Sequence, residues 1–454
     1  MLKIPRIFSL ILLLGALSCC LPAAAQISFS GNAAPPVADT PEATTGLKAV
    51  YTLSSTAGVS AVYRAASATA TVTWQKFSNL GGGYAQDIPY TRNGAETSVP
   101  LTTDDMGYIV TEDGRQTCFW VVNYANHICT LESLDLSPES DCSSVTLTFR
   151  GEAPRIVYYS VNGAAKTLSR GLTLEYKTLK YNEGSLVYDQ ITTTDELEYI
   201  SGDIHVAAPL CNTDFTLSGD RFQQEWNNSR IISSPSYEAR AVEAQTSATQ
   251  ATRDVDNEQK TESSTGILGG SAPVDITFDA IVTDAAIYTE WQFAADPAFD
   301  LIDLRINSTA AERTFTEYGT VYARFICGDN SGECSWTSPV YTIAIGESKL
   351  ECPNAFSPGS SEGTNDEWKV SYKSIVRFDC HIFNRWGIEV AHLTDPSQGW
   401  DGRHNGKLVK SGVFFYVIKA RGADGKNYNL SGDINILHST TVPAAAAPES
   451  PSGL

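Results

Sequence analysis

Apolar and polar residues alternate along most of this chain with the two-residue period of a strand. "ATATVTWQKF" (68–77), "SVTLTFRG" (144–151), "GLTLEYKTL" (171–179), "GTVYARFIC" (319–327) and "GVFFYVIKARG" (412–422) are rich in Val, Thr, Tyr and Phe, as half-buried strands are. Turn pairs punctuate them: Asn93-Gly94, Asp113-Gly114, Asn162-Gly163, Asp401-Gly402, Asn405-Gly406 and Asp424-Gly425. No long amphipathic helix is present. With 454 residues, one core is implausible, so the pattern predicts an all-β chain of several small sandwiches in tandem.

A loose internal echo points to immunoglobulin-like sandwiches. Trp74 lies in "TVTWQKF" and is followed by "DDMGYIV", with Gly107 and Tyr108. Trp291 lies in "YTEWQFA" and is followed by "TEYGTVYARF", with Gly319 and Tyr322. Such sandwiches place a strand tryptophan between the sheets and use a later tyrosine to tie a corner. The expected boundaries are an N-terminal linker at 26–45, an immunoglobulin-like sandwich at 46–138, a second β domain at 139–231 and a third sandwich at 271–348. Between the last two, 232–270 is rich in Ala, Thr, Ser and Glu and poor in aromatics, the composition of a flexible linker. Residues 439–454 read as a disordered tail.

The first 25 residues read as an export signal. Lys3 and Arg6 precede a short apolar run, Ile7 to Leu17, and "PAAAQ" offers small residues around a cleavage point. Cys19 or Cys20 as a lipid-bearing residue is the rival reading, on a poor lipobox. No stretch is long and apolar enough to span a bilayer as a helix.

The chain carries 32 basic and 52 acidic residues, a net charge of −20. That argues against nucleic acid, which needs a basic surface, and against an anionic membrane. Of the ten cysteines, Cys19 and Cys20 fall in the leader, leaving eight. An even count in an exported chain favours disulfides. Locality suggests Cys327 with Cys334 and Cys352 with Cys380, and more weakly Cys118 with Cys129 and Cys142 with Cys211. The six histidines are scattered, none at metal-ligand spacing from another, so no metal and no cofactor are expected.

Catalytic motifs are missing from the sequence: no nucleophile elbow, His-Glu-x-x-His or phosphate loop. Asp104-Asp105 suits a solvated turn better than glycoside hydrolysis. Cys129, near His127, suits a disulfide better than a nucleophile. The chain is expected not to be an enzyme.

Six motifs near the end occur in order: "CPNAFSP" (352–358), "TNDEW" (364–368), "HIFNRWGIEV" (381–390), "GWDGRHNGK" (399–407), "SGVFFYVIKARG" (411–422) and "LSGDINIL" (430–437). Together they resemble, over 351–438, the type B C-terminal sorting domain of the Bacteroidetes type IX secretion system, also called the gliding-motility-associated C-terminal domain, and the domain is expected to span 349–438. The resemblance implies a small β-sandwich read by outer-membrane export machinery, and a protein that reaches the cell surface or the medium. The motif positions are Pro353, Asn354, Phe356, Pro358, Asn365, Asp366, Phe383, Asn384, Arg385, Trp386, Gly387, Trp400, Asp401, Gly402, Gly406, Gly412, Tyr416 and Gly432. Phe356, Ile382, Phe383, Trp386, Trp400, Phe415 and Tyr416 are expected to fill a core, and Arg385 is a candidate partner for Asp401. Families of this kind carry an Asp-rich loop where this chain has "PGSSEGTND". Glu362, Asn365 and Asp366 remain there, short of a calcium site's carboxylate density.

The implied role is a non-enzymatic surface protein whose sandwiches adhere to or bind a partner, or a surface component of the secretion and envelope machinery. The partners are that machinery and, beyond it, envelope proteins or surface polysaccharide. The alternative is a secreted carbohydrate-binding or carbohydrate-degrading protein. In size and layout the chain is similar to a subgroup of such proteins that includes a surface-sensing component of the secretion system.

Overall fold

The computed structural model describes residues 26–81, 83–259, 266–358 and 365–437. The expected leader at 1–25 and tail at 439–454 lie outside the described residues. Among the described residues the regular structure is all strand, apart from two single-turn 3-10 segments and one short helix, Arg221–Glu225. The strands make four modules, each with its own apolar core.

In the first module a four-stranded sheet faces a six-stranded one. Trp74 fills the space between them and donates its indole N–H to Thr97 Oγ1 at 3.0 Å. Tyr108 is buried and accepts the Thr102 N–H at 3.3 Å, the corner tie that the sequence echo predicts. The Asp113-Gly114 hairpin closes as expected: both residues take positive φ, +45° and +83°, as a two-residue type I′ loop requires.

The segment 26–45 is not a linker. Ile27–Ser30 pairs with Ser60–Arg64, and Val37–Asp39 pairs with Ala49–Leu53, so the first module begins at its first described residues. One strand of the six-stranded sheet, Arg115–Asn123, is buried on both faces from Cys118 on. Phe119 and Val121 point into the sandwich. Cys118, Trp120 and Val122 pack outward against Ile156, Tyr158 and Leu168 of the following module. Double burial is why "CFWVV" reads as an unbroken apolar run rather than an alternation.

The second module begins earlier than expected, with the strand Thr130–Leu136. Its two sheets of three and four strands enclose a core that includes Leu147, Leu174, Phe215 and Leu217. The third is built around Phe278, Trp291, Phe293 and Phe325. The expected linker at 232–270 is not a linker, and its two strands after Ser233 belong to this third module. Ala244–Gln250 pairs along its whole length with Val274–Val282, and Ile267–Gly270 runs parallel to Tyr341–Ile345. Its composition misleads because Ala244–Gln250 is an edge strand. Such a strand is held mainly by backbone bonds and needs only small side chains, such as Ala244 and Ala248, against the core.

The cysteines do not pair as locality suggests. The one disulfide among the described residues joins Cys142 in the second module to Cys334 in the third. In the hairpin that carries Cys334, Cys327 sits opposite Trp336, two residues out of register with Cys334, and faces the core as a buried free thiol. Cys118, Cys129, Cys211, Cys352 and Cys380 are also free. Burial pushes the thiols of Cys129 and Cys327 up to about 11, and that of Cys380 to about 12.

Candidate functional site

The C-terminal module holds most of the predicted motif residues, and most of them are structural. Its main sheet has five strands in the order Ala355–Phe356, Asn427–Ile436, Gly412–Gly422, Ile375–Phe383 and Glu389–Leu393. One face covers a core of Phe356, Trp368, Tyr372, Trp400, Ile418 and Ile434. The other face is open.

The entry motif is tied down by backbone. The Pro353 carbonyl accepts the Trp368 indole N–H at 2.7 Å, and the Asn354 carbonyl accepts the Asn435 N–H at 2.9 Å. Phe356 is buried against Trp400, ring centroids 5.5 Å apart. Pro358 is buried beside Gly402. Asn365 takes φ +56° and its carbonyl accepts the Ser357 N–H. Asp366 follows it. Glu362 lies outside the described residues.

The middle motifs are turns and a core tryptophan. Asn384 caps a tight hairpin, its Oδ1 accepting the N–H groups of Trp386 and Ile388 at 2.9 and 3.1 Å, with Gly387 at positive φ. Trp400 donates its indole N–H to the Arg403 carbonyl at 2.9 Å. Asp401 Oδ1 accepts the Arg403 N–H, and the Asp401 carboxylate is paired with Arg403 rather than with Arg385. Arg385 is exposed and lies over the Trp386 ring, 5.1 Å from its centroid. Asn405 and Gly406 close a type I′ loop between His404 and Lys407.

Gly412 opens the long central strand opposite Ile436. Tyr416 stands inside, tilted against Trp368 with ring centroids 5.2 Å apart, and burial lifts its hydroxyl to about 12. Gly432 lies directly opposite. A Cβ there would fall 2.6 Å from the Tyr416 hydroxyl and 2.8 Å from its ring, so any side chain would expel the tyrosine. Cys352 and Cys380 share this core as free thiols, near enough that a Cys352 thiolate raises the Cys380 pKa.

The expected core has three corrections. Trp386 is 75% exposed and Phe415 45%, and Phe383 is only half-buried. The reason is register: along Gly412–Gly422 the residues Val413, Phe415 and Val417 alternate outward while Phe414, Ile418 and Ala420 alternate inward. Phe383 faces Phe415 across the ladder. Three exposed apolar side chains in one row, with Trp386 and Ile388 on the neighbouring hairpin, make the open face the candidate site.

Beside that row lie groups that sequence reasoning missed. Asp379 and His381 point outward from one strand, and His392 lies across from His381 in register. The two imidazoles stack 4.2 Å apart. The expectation that no histidines pair fails here, because strand pairing brings distant positions together. Alternation along "FDCHIF" and the hairpin at "NRWG" were the only signals that could have found it.

The catalytic candidates upstream have other neighbours. Asp105 Oδ2 lies 2.6 Å from His127 Nε2 while its Oδ1 accepts the Asn123 N–H. Cys129 is buried and unbonded to sulfur, with its N–H donated to the Tyr124 hydroxyl.

Comparison with known proteins agrees with this division. Residues 350–436 match the CHU_C type IX secretion signal domain, and residues 135–234 match a fibronectin type III domain. The C-terminal module is therefore a type IX secretion signal domain, and the chain is an all-β series of immunoglobulin-like sandwiches in front of it. No curated protein is similar enough to count as a relative. Among solved structures, a tetra-tandem repeat from the extending region of a large adhesion protein is 12% identical, covering 83% of this chain and 94% of its own, at a TM-score of 0.19. Sidekick-1 immunoglobulin domains 1–5 are 11% identical over 86% of this chain and 78% of theirs, at 0.24. The FN1–FN3 domains of chicken CNTN1 are 11% identical over 63% and 93%, at 0.17. Superpositions this poor carry no statement about shape or function.

Proposed function

We propose that this is a non-catalytic surface protein of the type IX pathway, whose three leading sandwiches present an interaction surface and whose last module is its export address. The observation that supports this most directly is the division of the last module. Nearly all its motif residues are spent on turns and core, which leaves the outward row of Val413, Phe415 and Val417, and the hairpin residues Trp386 and Ile388, free to be read. A secretion signal implies a secretion machinery as partner and a destination at the cell surface or outside it.

The sandwiches act by binding. The upstream candidates for chemistry already serve the fold: Asp105 holds the Asn123 backbone and His127, and Cys129 is buried at a module junction with its thiol pushed up by burial. The carbohydrate-binding alternative gains no tryptophan platform, since five of the eight tryptophans are buried in cores and, among the described residues, Trp386 is the one strongly exposed tryptophan. Within the binding class, a role in the envelope machinery itself is the finer reading.

Fractionation of cells producing the full chain or a chain ending at Ile345 tests the address. Only the full chain is expected at the surface, and equal surface levels would overturn the reading. A Trp386→Ala/Phe415→Ser chain should lose surface delivery while keeping its melting temperature, because both side chains are exposed. Pull-down with and without residues 26–231 tests the binding role. Envelope proteins retained only with that segment support it, and polysaccharide or peptide hydrolysis abolished by one point substitution would overturn the non-catalytic assignment.

A further inference from the structure

We propose that Asp379, His381 and His392 form a binding site for a divalent transition-metal ion, of the Zn2+ class, on the open face of the C-terminal sheet. Asp379 and His381 are two apart on one strand and so share a face. His392 is the direct cross-strand neighbour of His381. Both rings aim Nε2 at the same carboxylate oxygen: His392 Nε2 lies 2.6 Å and His381 Nε2 3.4 Å from Asp379 Oδ1. One donor atom from each residue falls within 4.8 Å of the others.

The arrangement suits a cation better than a set of plain hydrogen bonds. Two imidazoles stacked nearly parallel, 9° between planes, repel if both are protonated, yet both face one oxygen. A single ion between the three groups satisfies all of them. Ligands about 2.0–2.2 Å from a tetrahedral ion sit roughly 3.3 Å from one another. The His381 to Asp379 separation is close to that value, while His392 and Asp379 must part by about 0.7 Å and the stacked rings must turn so that both in-plane nitrogen lone pairs converge on the ion. Two imidazoles and one carboxylate are the donor set of catalytic and transport zinc sites, with positions left for water or another ligand.

An independent contact supports this. Glu389 Oε2 lies 2.9 Å from His381 Nδ1. A carboxylate on the far nitrogen is the usual companion of a metal-bound histidine, because it fixes the tautomer that leaves Nε2 unprotonated for the ion. The open coordination positions have room. A hollow of about 170 Å3 beside the cluster is lined by Asp379, His381, Phe383, Val417 and Lys419, so a bound ion would border the apolar row.

The test uses the full chain freed of metal with a chelator, titrated with Zn2+ by calorimetry and with Co2+ by visible absorption. Wild type should bind one ion per chain at this site, with a low-coordinate Co2+ spectrum. His381→Ala/His392→Ala should remove that binding and Asp379→Asn should weaken it strongly. Glu389→Gln, which touches no ion, should weaken it by about 10- to 100-fold. His205→Ala in the second module should change nothing. Circular dichroism checks that each chain is folded. If the double variant fails to fold, Asp379→Asn decides the matter in its place. No saturable binding by wild type, or binding untouched in the folded double variant or in Asp379→Asn, overturns the proposal.

Discussion

The junction between the first two modules and the junction between the second and third do the same mechanical job by opposite physics. At the first, Arg170 and Asp220 form an ion pair with both side chains fully buried, Nη1 to Oδ2 at 2.6 Å. The other polar atoms of the pair are also engaged. Arg170 Nε donates to the Pro154 carbonyl and Nη2 to the His127 carbonyl. Asp220 accepts from the Tyr124 hydroxyl and from the Gln223 N–H, capping the short helix. Gln223 in turn donates to the Cys129 carbonyl. At the second junction a disulfide, Cys142–Cys334, spans 192 residues of sequence. Around it Arg240 pairs with the exposed Glu333 and, at longer range, with the buried Asp329. A buried network is cooperative and intolerant of loss. A covalent tether fixes position without making either module depend on the other.

The largest effect should come from cutting the first junction on one side. Arg170→Met leaves Asp220 charged, buried and without its counter-ion, a loss of about 3–5 kcal/mol. Chemical denaturation should show it as a fall in stability of the first two modules together, since their packing shares Trp120, Ile156 and Phe222. The double change Arg170→Met/Asp220→Asn should recover much of the loss, because the uncompensated charge is gone. A double variant no better than the single would mean that packing, not the charge, holds the junction.

The second junction should yield differently. Cys142→Ser/Cys334→Ser removes a cross-link worth about 2–4 kcal/mol in a single cooperative unit. Here the modules have separate cores, so most of that should appear as freedom between modules rather than as unfolding. Small-angle scattering should report a broader range of sizes, and proteolysis should cut near 235–243 sooner, with the melting of each module little changed. Loss of cooperative folding in the third module would contradict the comparison. The native disulfide also needs an oxidising compartment, in keeping with an exported chain.

How much of this the sequence revealed depends on the range of the interaction. Strand alternation and turn pairs act over a few residues, so the all-β class, the Asp113-Gly114 and Asn405-Gly406 hairpins, and Trp74 and Trp291 as core were legible. The C-terminal module was legible because its motifs sit mostly on local turns. The edge strand Ala244–Gln250 was not, because backbone pairing asks little of side-chain composition. Trp386 and Phe415 were misplaced for a related reason: an aromatic in a strand says nothing about face until the register is known. The Cys142–Cys334 bond, the Arg170–Asp220 pair and the His381–His392 stack all depend on how distant segments meet. No spacing rule along the chain reports that.

The smallest effect sharpens the comparison from its weak side. Arg240 reaches Glu333 with one Nη and lies 3.7 Å from Asp329 through Nε, and those carboxylates hold its guanidinium above its ordinary pKa. The contact is as direct as that at Arg170, yet Arg240 and Glu333 are exposed. Water solvates both charges nearly as well when they part, and salt screens what attraction remains. Arg240→Ala should therefore leave the melting temperature within error of wild type in physiological salt, with the disulfide intact. Its effect should emerge only in the Cys142→Ser/Cys334→Ser background at low salt, where Arg240 is one of the few contacts still aligning the two modules. A large loss in the wild-type background would show that the second junction, like the first, relies on its charges, and the contrast between them would collapse.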